Sequence, residues 1–121
     1  AVAGNREGDI GYAIQSYCES FGFSVVREMV GHGIGKNMHE SPEVPNYGLA
    51  GRGKKLSEGM VICIEPMINA GGRSIYLHDD GWAVSTSDKK NSAHFELMVA
   101  IKKGEADILS TFDYIEGKKN Y

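Results

Sequence analysis

Cysteine and proline are scarce, and long apolar runs are missing. The two cysteines, Cys18 and Cys63, stand far apart with no Cys-x-x-Cys spacing. No disulfide framework is written into the chain, and buried free thiols in a reducing, cytoplasmic setting are expected. Three prolines against sixteen glycines point to tight turns and close strand crossings, not to disorder. No stretch is apolar for long enough to span a bilayer. The first nine residues lack the charged-then-apolar plan of a secretory leader. A net charge of only -3 gives no reason to expect nucleic acid or a membrane surface as partner. No internal repeat or low-complexity linker is present. The 121 residues, 41% hydrophobic and 24% charged, suit one domain with one modest core. The chain starts at Ala1, not at a methionine, and is read as a cleaved, truncated or partly observed polypeptide.

What is there centres on residues 31–42, Gly31-His32-Gly33-Ile34-Gly35-Lys36-Asn37-Met38-His39-Glu40-Ser41-Pro42. Alternating glycines disfavour helix and let backbone approach a ligand or a neighbouring strand. Extended chain is predicted, with His32 and Ile34 on one side of the pleat. His39 is placed on a turn closed by Pro42. Imidazole is the commonest metal ligand, and two in so unusual a segment mark a functional site.

Around this segment the pattern predicts an α+β chain. Asp9 is expected to cap a helix reaching about Phe21, with Ile10, Ala13, Ile14, Tyr17, Cys18 and Phe21 as its apolar stripe and Gly22 as its stop. Residues 23–26 read as a short strand. Residues 40–55 read as a long loop, rich in turn signals and of a length that tends to be functional. Residues 60–64 form a continuous apolar run, hence a buried strand, ended by Glu65 and Pro66. Residues 74–78 and 82–86 flank the turn Asp79-Asp80-Gly81 as a hairpin. Residues 92–101 read as one last long strand, on which Glu96 shares a face with His94, Met98 and Ala100. The tail from Lys102 is expected to be peripheral.

His32, Glu65 and Glu96 are the unusual residues on or beside interior strands. A buried carboxylate needs a partner or a metal. One imidazole and two carboxylates would suit Mn, Fe(II), Co or Zn, and the cysteines look wrongly placed to join them. The same residues could form an acid–base pair without metal, or the glutamates could pair with Arg27, Arg52 or Arg73. No His-Glu-x-x-His motif decides the matter.

Four ordered motifs narrow the choice: residues 31–47, Leu56-Ser57-Glu58-Gly59-Met60-Val61-Ile62-Cys63-Ile64-Glu65-Pro66-Met67-Ile68, Asp80-Gly81-Trp82-Ala83-Val84-Ser85-Thr86, and Ser92-Ala93-His94-Phe95-Glu96. Over residues 8–101 the chain resembles the type I methionine aminopeptidases. The related pita-bread enzymes that cleave Xaa-Pro bonds fit the second and third motifs less well. The resemblance implies removal of the initiator methionine from new proteins by two divalent metal ions, Co, Mn, Fe or Zn. It implies half of a pita-bread fold, a curved antiparallel sheet with a helix on its outer face, residues 1–121 forming the carboxy-terminal half. By motif position His32, Glu65 and Glu96 would be metal ligands, and Glu65 a general base. His39 would contact the substrate amide, and Met38 and Trp82 would line the methionine pocket. The implied partners are N-terminal Met peptides and the missing amino-terminal half, which in the family carries two aspartate ligands and a further histidine. The chain alone is therefore expected to be inactive. The resemblance makes Glu96 the ligand that would bridge both metals, and where the family usually has a histidine after it this chain has Leu97. A pita-bread module that binds peptides without catalysis is the alternative.

Overall fold

The computed structural model describes residues 1–114. Helix α1 runs over Glu7–Ser20. The first strands are β1 (Ser24–Val25), β2 (Gly31–Gly33), β3 (Glu40–Val44), β4 (Val61–Ile64) and β5 (Met67–Asn69). A hairpin follows, β6 (Ile75–Leu77) and β7 (Val84–Thr86), and then β8 (Ser92–His94), β9 (Leu97–Ala100) and β10 (Asp107–Ile108).

Arg6, not Asp9, occupies the N-cap of α1. Asp9 lies one turn in, where its Oδ2 accepts the Arg6 backbone N–H at 2.7 Å and its Oδ1 accepts that of Gly51, also at 2.7 Å. An acidic side chain at this third position satisfies helix-end donors as a cap would, which is why the pattern misplaced the boundary. Both bonds favour the ionised carboxylate, and the Asp9 pKa falls below 3.8, the Gly51 bond being the larger cause. Gly22 does end the helix, at φ 80°. The expected stripe is buried only at its start: Ile10 is 7% exposed, but Tyr17 and Phe21 are 68% and 65% exposed and pack edge-on against each other. The helix lies against β1 and β3, which cover only part of its length.

The main sheet has five antiparallel strands in the order β10-β9-β4-β2-β3. Ile10, Val44, Leu56, Ile62, Val99 and Ile101 form the core between this sheet and the helix. Register decides which side chains share it. Ile62 faces Val99, while its neighbour Cys63 faces His32 on one side and Met98 on the other. Side chains alternate along a strand, and directly opposed residues share a face. One face therefore buries Ile62 and Val99, and the other carries His32, Cys63 and Met98.

Two differences from the sequence reading matter for the site. Residues 40–55 are not all loop. Residues 40–44 pair with β2 as an edge strand, the position where a proline such as Pro42 is tolerated because a missing N–H faces no partner. And the last strand is split. β4 stops before Glu65-Pro66 and the chain resumes as β5, while β9 is preceded by Phe95-Glu96 and β8. β4 pairs with β9 in the main sheet, whereas β5 pairs with β8 in a second sheet of order β1-β5-β8. Pro66 cannot donate to a ladder, so both strands pass from one sheet to the other at the same level. The two glutamates sit at that break.

Candidate metal centre

Glu65 is held between imidazoles. Its Oε1 lies 3.3 Å from His32 Nε2 and its Oε2 3.3 Å from His94 Nε2. His32 Nδ1 is 2.9 Å from the Gly33 carbonyl. A carbonyl oxygen only accepts, so Nδ1 carries the hydrogen and Nε2 is the atom turned to Glu65. That orientation by a backbone carbonyl is the one metal-binding histidines use. A bare Nε2 lone pair against a carboxylate oxygen is repulsive, so the pair needs a shared proton or a cation between them. The donors fit a divalent metal on this ground. The glutamates do not pair with Arg27, Arg52 or Arg73 as one reading of the sequence allowed: Glu65 pairs with histidines, and Arg27 lies over the Tyr47 ring.

His39 lies on the bend before β3, not on a turn closed by Pro42. Its ring centroid is 4.3 Å from that of His32. The two histidines line an open groove with Glu40, Ser41 and Glu43. Glu96 is exposed in the break just before β9. Its carboxylate lies in a group with His32 and Cys63 whose donor atoms are all within 4.8 Å of one another. The structure thus brings His32, His39, Glu65 and Glu96 to one place. Met38 and Trp82 stay apart from any packed wall, 70% and 88% exposed; the Trp82 backbone N–H is tied to Asp80 in the β6–β7 turn.

Three residues were missed. His94, the last residue of β8, stands two positions before Glu96 in the chain, and that i, i+2 spacing was the available signal. Cys63 stands two before Glu65 and opposite His32. The expectation that both cysteines lie away from the ligands is wrong for Cys63, because its strand neighbour was unknowable without register. Cys63 is 2% exposed. Burial pushes its thiol up to about 12, helped by a hydrogen bond to Glu96 and by the charges of Glu96 and Glu65. Asn46, fully buried, sends Nδ2 to the Glu65 backbone carbonyl at 3.5 Å and had no signal at all.

The sheet break thus brings a carboxylate, two flanking imidazoles and an open groove together. A model of metallopeptidase family M24 matches residues 1–103, and the chain belongs to that family. Methionine aminopeptidase of Clostridium acetobutylicum is 54% identical over 110 residues, 91% of this chain and 44% of that protein. Methionine aminopeptidase 1 of Bacillus subtilis is 49% identical over the same shares, 91% and 44%. The crystal structure of methionine aminopeptidase from Rickettsia prowazekii superposes with a TM-score of 0.86 at 49% identity, over 88% of this chain and 44% of that one. The enzyme from Thermotoga maritima gives 0.87 at 42%, over 89% and 43%. The fold is therefore α+β, half of the pita-bread architecture. The chain spans about half the length, 44%, of the curated relatives it matches.

Proposed function

We propose that this chain is the carboxy-terminal half of a methionine aminopeptidase that removes initiator methionine from newly made proteins. The observation that carries the proposal is the Glu65 carboxylate fixed between His32 and His94, at 3.3 Å from each, at the sheet break. His32, Glu65 and Glu96 would hold two divalent ions, Co, Mn, Fe or Zn, together with two aspartates from the amino-terminal half. What such ions supply when bound is an acidified water and a polarised carbonyl.

The chain's own residues do the rest. Glu65 takes the proton from the attacking water and returns it to the leaving amine. His39 donates a hydrogen bond to the scissile amide, where charge grows in the transition state. Met38 and Trp82 supply apolar surface to the methionine side chain once the other half closes over it. By itself the chain holds three of five ligands, too few to fix the geometry of a metal pair.

The test is methionine release from a Met-Ala-Ser peptide. The chain is assayed alone, and then with the amino-terminal portion of the Bacillus subtilis relative. Inactivity alone and chelator-sensitive release in the complex are expected. Release by the chain alone, or none from a well-formed complex, would overturn the proposal. In the active complex Glu96→Gln lowers turnover by more than about 100-fold through lost metal geometry; a change of a fewfold removes Glu96 from the ligand set. Peptide binding that ignores chelator and is followed by no cleavage would favour a non-catalytic binding module.

A further inference from the structure

Cys63 changes the chemistry of the donor set. It faces His32 directly across the β2–β4 ladder and Met98 across the β4–β9 ladder. Glu96 lies two residues before Met98 and so returns to the same face. The result is one nitrogen, one sulfur and one carboxylate oxygen, all within 4.8 Å of one another. A tetrahedral ion with bonds of about 2.0–2.3 Å keeps its ligands about 3.3–3.8 Å apart. Closing the trio on one ion therefore takes a contraction of at most about 1.5 Å, and the exposed Glu96 supplies its own share by side-chain rotation.

We propose that His32, Cys63 and Glu96 form a mononuclear site for a borderline or soft divalent cation such as zinc, cobalt or cadmium. Binding forms a metal–sulfur bond and breaks the Cys63 S–H bond, and the proton passes to solvent. A thiolate donor shifts preference away from manganese and other hard ions. This chain, without the partner aspartates, therefore selects its metal differently from a site built of imidazole and carboxylates alone. The proposal rests on His32 and Glu96 being metal donors, as the proposed function has them, and adds Cys63.

Cobalt(II) titration of the full 121-residue chain tests it by absorption, with no turnover required. The expected result is a near-ultraviolet thiolate-to-cobalt charge-transfer band together with visible ligand-field bands. Cys63→Ser should lose the first and keep the second. Cadmium should bind at least about tenfold more tightly than manganese, and Cys63→Ser should erase that preference. Cys63→Ala, checked for an unchanged circular dichroism spectrum, guards against a folding defect in the serine variant. Visible bands with no charge-transfer band would overturn the role of Cys63 while leaving His32 and Glu96 as donors. No cobalt bands in any form would overturn the metal site as a whole.

Discussion

Gly31→Ala should break the site by parting the strands that carry it. A Cβ at residue 31 would lie 2.2 Å from the Cys63 carbonyl oxygen and 3.2 Å from that of Val44, whereas real Cβ atoms essentially never come within 3.0 Å. Both obstacles are backbone, so no rotamer change relieves them. β4 must back away from β2 by about 0.8 Å, and overpacking of this kind typically costs about 1–3 kcal/mol. β2 meets β4 through only His32↔Cys63 and Gly33↔Ile62, so the displacement also strains most of that ladder. Losing a pair of its hydrogen bonds adds about 2 kcal/mol. The expected destabilisation is about 3–5 kcal/mol, a large part of the roughly 5–15 kcal/mol of a typical domain. Urea denaturation followed by circular dichroism measures it. Gly22→Ala is the comparison: among the described residues nothing lies within 4 Å of its added Cβ, and the φ of 80° is what resists, which costs about 1–2 kcal/mol. A loss below about 1 kcal/mol for Gly31→Ala, or one no larger than for Gly22→Ala, would refute the reasoning.

Other perturbations probe the rest of the structure. Ile62→Ala empties a fully buried position and should lower unfolding free energy by about 2–5 kcal/mol; a loss under about 1 kcal/mol would place Ile62 outside the core. The depressed Asp9 pKa makes its contribution to stability complete above the ordinary 3.8 and lost as pH falls through the lower folded value. Asp9→Asn should therefore unfold more easily in urea at neutral pH and match the parent in strong acid, and a gap that persists in acid would contradict this. In chelator at mildly alkaline pH, iodoacetamide should label the part-exposed Cys18 and spare Cys63, whose thiol is pushed up to about 12. Peptide mapping that finds Cys63 labelled as fast as Cys18 would count against its burial.

Much of the fold was legible because it depends on local pattern. The helix, the strand ended by Glu65-Pro66, and the hairpin about Asp79-Asp80-Gly81 all announce themselves through apolar spacing and turn residues. The errors fell where local signals mislead. Asp9 looks like a cap, but the same chemistry works from the third helical position. Pro42 looks like a loop residue, but an edge strand tolerates it. Residues 92–101 alternate without interruption, yet they serve two sheets, because where a strand changes partner depends on the strand beside it.

By itself the sequence determined that His32, His39, Glu65 and Glu96 stand out. A glycine-framed histidine and a carboxylate at the end of an apolar strand are anomalies under any fold, since burying such groups unpartnered is costly. Only the tertiary structure decided that Glu65 turns to His32 and His94, that Cys63 joins His32 and Glu96, and that Asn46 lies beneath. Those neighbours come from strands far apart in the chain. Their meeting is set by register, where a slip of one residue would send every side chain of a strand to the opposite face.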